Sequence, residues 1–203
     1  MIEEIGTVWL LMMILNLGGP QYLSGNVRIE DFKAEASGKT VQTTTTGEVA
    51  FDLRPGSEKA WADFTTRQAG QQPKRLIFIM RFDTNEVYRL DPATKTYSVA
   101  KMENGRKFLD NVQKIYLGGP NWKDRAAPAS PPSGATEGRI CRQVKSDPYT
   151  TIFYLDPAHE NAATRVDVNS KGATFAVMSS MIQPKIDPID ASKFEVPKDY
   201  TKK

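Results

Sequence analysis

A chain of 203 residues with 27 Lys and Arg against 24 Asp and Glu carries a net charge of only +3. That length suffices for one domain with a real core, and so mild a charge, both signs mixed along the chain, excludes a dedicated nucleic-acid surface. One cysteine, Cys141, excludes an internal disulfide or a thiolate zinc cage, and one histidine, His159, leaves a triad or a multi-histidine metal site without partners.

The first element is the apolar run "VWLLMMILNL", with Trp9, Leu10, Leu11, Met12, Met13 and Ile14 at its centre. It has the length of a secretory signal's apolar stretch and about half that of a bilayer span. Glu3 and Glu4 stand upstream, where a signal wants positive charge, and "NLGGPQ" is a poor cleavage site. Three readings stay open for residues 1–19: a degenerate export signal, an uncleaved anchor or interfacial helix that contacts a membrane or partner through 8–17, and a buried first helix. "LGGPQY" at Leu17 returns as "LGGPNW" at Leu117. Each copy follows a helix-like run, so the Gly closes a helix and the Pro prevents its continuation. A phosphate cradle needs the reverse order, glycines opening a helix after a strand.

After Pro20 the grammar becomes alternating. "EVAFDL" sets Val49, Phe51 and Leu53 on one face and Glu48, Ala50 and Asp52 on the other, as in a half-buried strand, and "RPGS" turns it. "KAWADF", "RLIFIMRF", "EVYRL", "KTYSVA", "RICRQVK", "YTTIFYL", "TRVDV" and "ATFAVM" follow the same period, joined by short turn segments such as "DTN", "DPAT" and "NSKG". Roughly ten such strands with tight turns predict one antiparallel meander rather than a parallel α/β sheet. A single helix interrupts over 104–118, with Phe108, Leu109, Val112, Ile115 and Tyr116 at helical spacing. The Pro-, Ala- and Ser-rich 118–138 stretch then reads as a flexible loop inside a single domain spanning 20–203.

"LIFIM" and "TIFYL" are apolar on both sides, which places them mid-sheet with both faces covered. A sheet of that size curls, and a helix over its concave side leaves either an apolar cavity or an ordinarily packed core. The basic groups Arg139, Arg142 and Lys145, and Arg106, Lys107 and Lys114, lack interleaved aromatics and read as solvated faces. "YRLDPA" and "FYLDPA" echo one another because Asp-Pro opens a turn in both.

The second half carries Asp156-Pro157, Arg165, Gly172, Asp190, Phe194, Pro197 and Tyr200 in order, and the middle carries Arg81, Asp83, Pro92, Lys95 and Tyr97. In that order these motifs resemble the outer-membrane lipoprotein carrier superfamily, the LolA/LolB-like envelope proteins, over roughly half the chain. The acidic leader and the "APASPPSG" arm depart from the family pattern. The resemblance implies a mainly β fold: a single, strongly curved antiparallel sheet, a half-barrel of about 10–11 strands, with one or two helices covering the concave face. It implies a cell-envelope, periplasmic-side location and a cavity holding a lipid or lipoprotein acyl group. Trp61, Phe78, Met80, Tyr88, Tyr154 and Phe175 are its candidate wall residues, each equally accountable as plain core. The alternative function is a structural subunit docked to a membrane complex by its N-terminal apolar segment. No nucleophile–base pair, metal-ligand set or cofactor loop is legible, so the expected protein is not an enzyme and takes no metal or cofactor.

Overall fold

The computed structural model describes residues 21–34, 40–102, 123–125, 140–146, 149–159, 162–170 and 175–203. The apolar run at 1–19, the helix expected over 104–118 and most of the 118–138 loop lie outside them.

The described residues form β1 (Tyr22–Ala34), β2 (Thr40–Asp52), β3 (Lys59–Gln68), β4 (Lys74–Arg81), β5 (Glu86–Asp91), β6 (Thr96–Lys101), β7 (Lys123–Arg125), β8 (Ile140–Ser146), β9 (Tyr149–Asp156), β10 (Ala162–Ser170), β11 (Phe175–Lys185) and β12 (Thr201–Lys202). They make one sheet in the order β12-β6-β5-β4-β3-β2-β1-β11-β10-β9-β8-β7. Two meanders, β1–β6 and β7–β11, are thus joined side by side where β1 pairs with β11, and the sheet stays open at its two ends. Every pairing is antiparallel except the two-residue β12–β6 contact. The antiparallel meander anticipated from the residue pattern is present, and the open, mainly β half-barrel sheet is the one that the resemblance implied. Helix among the described residues is confined to single 3-10 turns at Pro157–His159 and Ala191–Phe194, and no covering helix is found among them.

The strand count exceeds the expectation because β1, β7 and β12 carry weak signals. In β1, Leu23, Val27 and Ile29 alternate correctly, but Gly25 breaks the run. β7 is a three-residue strand set within the stretch read as loop, where it pairs with Gln143, Arg142 and Cys141 of β8. Turn chemistry agrees with the sequence: Gly56 and Gly70 adopt φ of +81° and +78°, and the tight turns after β4 and β5 each put a non-glycine residue, Asn85 or Lys95, in the left-handed region. Pro184 lies in β11 next to a shift of register against β1 between Ser24 and Asn26, the kind of irregularity that tolerates a residue with no N–H.

The core is centred on β1–β4 and β9. Leu23, Val49, Phe51, Ala60, Ile79, Met80 and Phe153 are all nearly or fully out of solvent. β4 and β9 are covered on both faces, as their two-sided apolar pattern requires: Phe78 and Met80 alternate with Ile79, and Phe153 and Leu155 alternate with Tyr154, all of them buried.

Candidate functional site: two faces of one sheet

Directly paired residues of an antiparallel ladder share a face, so the register assigns each side chain. Val27 pairs with Gly47, Gly47 with Phe64 and Phe64 with Leu76. The neighbouring row runs Val49, Ala62, Phe78, and the next runs Leu23, Phe51, Ala60, Met80. These rows make a continuous apolar face across β1 to β4. Phe64 and Phe78 tilt against each other on it, ring centroids 6.5 Å apart. The same face continues through Ile29 to Ser179 of β11, Val166 of β10 and Phe153 of β9. At its other end lie Thr45 and Thr66, whose hydroxyls satisfy each other at 3.0 Å.

The apolar face changes character at β5. Phe78 pairs with Arg89, and Arg89 with Ser98 of β6. Burial falls along this row: Ala62 and Phe78 are buried, Arg89 is partly buried and Ser98 is exposed. Asp91, two residues on along the same face, accepts the Ala93 N–H at 3.0 Å within its own turn. Burial pushes its carboxyl upward, but hydrogen bonds from Ala93 and Thr94 outweigh that and hold it below the usual carboxylate range.

The opposite face has a different cover. Its rows include Tyr22, Asp52 and Lys59, then Ala50, Trp61, Ile79 and Tyr88. The C-terminal segment reaches this side through Lys193, whose ammonium stands 4.6 Å over the Trp61 ring and pairs with Glu48. Arg81 lies 5.2 Å from the Tyr88 ring centre, binds Glu195 at 2.6 Å and donates to the Phe194 carbonyl at 3.3 Å. Phe194 is itself buried. Beyond it, the Thr201 and Lys203 N–H groups bond the Lys95 and Tyr97 carbonyls, adding β12 to the edge. Tyr88 is held above the usual phenol range, first by burial and then by its hydrogen bond to Glu86.

The six wall residues expected from the sequence therefore do not line one wall. Phe78 and Met80 lie on the apolar face, and register places Phe175, paired with Lys33, at a position of that same face. Trp61 and Tyr88 lie on the opposite face under the C-terminal segment, and Tyr154, paired with Arg165 in the row of Ser180 and Arg28, belongs there too. Aromatic character, or in Met80 an adaptable thioether, marked them all, but alternation parity decides the face. Reading by residue type also passed over Leu23, Val27, Ile29 and Arg89, which the period of two would have placed beside Phe51 and Phe78. Trp9, Leu10, Leu11, Met12, Met13 and Ile14 lie outside the described residues.

Among the described residues, no group of three or more His, Cys, Asp or Glu side chains is arranged to hold a metal ion, and no helix is long and apolar enough to cross a membrane.

No family model and no curated protein matches the sequence. Solved structures are similar to it to differing degrees, and the first of those that follow shares its fold. An uncharacterised conserved protein of Thermus thermophilus superposes with a TM-score of 0.55 at 10% identity, covering 98% of both chains. The lipoprotein LppX of Mycobacterium tuberculosis gives 0.46 at 10% identity, over 85% of this chain and 90% of its own. A LolA superfamily protein of Nitrosomonas europaea gives 0.31 at 9% identity, over 94% and 96%.

Proposed function

We propose that the protein is a non-catalytic binding protein of the cell envelope that holds an acyl chain or similar apolar group against the apolar face of its sheet. The observation that carries this reading is the uninterrupted apolar face over β1–β4, formed by Leu23, Val27, Val49, Phe51, Phe64, Phe78 and Met80. A half-barrel sheet presents such a face to whatever its concavity holds, and Met and Phe side chains adapt to flexible chains. The motif order shared with the lipoprotein carriers supports the same ligand class and an envelope location, on the periplasmic side. In this reading residues 20–203 act as one domain, residues 8–17 contact the membrane surface, and the partner is a lipid or the acyl group of a lipoprotein.

The test is binding of an apolar fluorophore by the native full-length protein without denaturant, together with membrane fractionation of the native material. Saturable binding, displaced by a long-chain alcohol, supports the reading. A folded protein that binds no apolar probe, yet co-purifies with membrane subunits only when residues 1–17 are present, overturns it in favour of a structural subunit.

A further inference from the structure

The C-terminal segment leaves the sheet in its middle, at the end of β11, and is fastened again at its β6 edge. Residues 186–190 carry no regular structure, and all but Ile189 are exposed. Beyond them, the partners of residues 191–203 lie on β2 (Glu48), β3 (Trp61), β4 (Arg81) and β6 (Tyr97), and in the turn before β6 (Lys95). Phe194 is the one buried side chain among residues 186–203. Around it stand three ion pairs, Lys193 with Glu48, Glu195 with Arg81 and Asp199 with Lys95. At the end, the Thr201 and Lys203 N–H groups bond the Lys95 and Tyr97 carbonyls at 3.0 and 2.9 Å. In each ion pair at least one partner is about half exposed or more, so dissolved salt screens all three together. An element held by one apolar anchor and screened charges, on an exposed tether, belongs to the low end of a fold's range of local stability.

We propose that residues 191–203 are a clasp that opens as one unit about the 186–190 tether, in a salt-controlled step, while the sheet beneath stays folded. Opening bares the Trp61 ring and frees the Lys95 and Tyr97 carbonyls. The clasp thereby governs access to the β6 edge, whose freed backbone acceptors can receive an extended strand. Its opening does not depend on what lies against the apolar face, on the other side of the sheet. Two other behaviours compete with it: fraying residue by residue from Lys203 inward, and release only when the whole sheet unfolds.

The test is hydrogen exchange of the full-length protein, followed amide by amide by NMR. Thr201 and Lys203 should show the same protection factor, well below that of the amides in the β2–β3 ladder. Raising salt from about 0.05 M to about 1 M should lower both roughly tenfold and leave the ladder unchanged. Glu195→Gln should lower both equally and several-fold, although Glu195 bonds neither amide. Phe194→Ala should remove their protection while the sheet's circular dichroism persists, and Glu195→Gln, at an exposed position, decides the matter if that variant fails to fold. Lys203 less protected than Thr201, with neither responding to Glu195→Gln, is fraying and overturns the clasp. Protection of both equal to that of the β2–β3 ladder, at either salt concentration, overturns it as well.

Discussion

Phe64 on β3 lays its ring against Gly47, its directly paired neighbour on β2. A methyl group at Gly47 would fall 2.7 Å from the Phe64 Cδ1 and 1.9 Å from the Asp63 carbonyl oxygen. The glycine is thus a requirement of close approach in mid-strand, with an aromatic ring covering the gap. Gly47→Ala should destabilise the fold by about 1–3 kcal/mol, the usual range for overpacking, seen as a lower midpoint in denaturant. Because one of the two clashes is with backbone, trimming the ring cannot relieve it. The double variant Gly47→Ala/Phe64→Leu should therefore be less stable than either single one. Rescue by the second substitution would place the whole conflict in the ring and refute this account.

Asp52 and Arg54 provide the pH dependence. Burial alone would raise the Asp52 carboxyl, but the side-chain and backbone hydrogen bonds of Arg54, its charge and that of Lys59 hold it below the ordinary carboxylate value. The guanidinium makes bonds of 2.9 and 2.7 Å to the two carboxylate oxygens and lies 5.0 Å over the Tyr22 ring. A carboxyl whose pKa is lower folded than unfolded adds stability above the unfolded value, and loses that contribution as pH falls through the folded one. Asp52→Asn should be less stable than the natural protein at neutral pH, by roughly 1 kcal/mol or less because Arg54 is half exposed and screened. The difference should shrink as pH falls through and below the ordinary carboxylate range. Thermal unfolding of both proteins across that range gives the answer; a gap that widens in acid contradicts the assignment.

Thr45 and Thr66 test how the apolar face tolerates polarity. Thr45 is buried, and its hydroxyl finds its partner across the strand pair. Thr45→Val alone removes one partner and should cost about 1 kcal/mol. Replacing both by valine removes donor and acceptor together and should bring stability back to within a few tenths of a kcal/mol of the natural protein, or above it. A double-mutant cycle by chemical denaturation measures this. Purely additive losses would mean that the hydroxyls are satisfied elsewhere.

The period of two was legible wherever it was unbroken: Val49 and Phe51, or Phe78 and Met80 against Ile79, fall on the faces that their alternation predicts. It failed where a strand is not apolar. "TVQTTTTG" extends β2 ahead of Glu48, because threonines favour extended backbone and pair with Thr65, Thr66 and Arg67 of β3 whatever their hydropathy. It failed at Gly25 for the opposite reason, a missing side chain within an otherwise regular strand. Face assignment between strands was hidden altogether. Whether Trp61 and Phe78 share a wall depends on the Ala62–Phe78 register, which the turn between β3 and β4 sets and no single strand's composition reveals. The anchoring of the C-terminal segment, through Lys193 on Trp61 and Arg81 on Glu195, joins residues more than a hundred positions apart and leaves no local signal.

That division of faces gives the most direct check on the proposed ligand surface. Phe78→Ala and Trp61→Ala each remove an aromatic ring, from neighbouring strands and from opposite sides of the same sheet. Both should lower stability: the first through a cavity in the core, by about 3–5 kcal/mol, and the second less, because Trp61 is only partly buried beneath Lys193. If an acyl chain lies on the face of Phe78, its truncation should weaken apolar-probe affinity at least several-fold, measured at a temperature where the variant remains folded by circular dichroism. Trp61→Ala should leave affinity within about twofold of the natural protein, since its loss changes only the side covered by the C-terminal segment. Met80→Ala, from the Phe78 face but without an aromatic ring, should follow Phe78 rather than Trp61. Affinity that tracks stability across all three variants, regardless of face, would mean that the probe reports partial unfolding and that the apolar face is core alone.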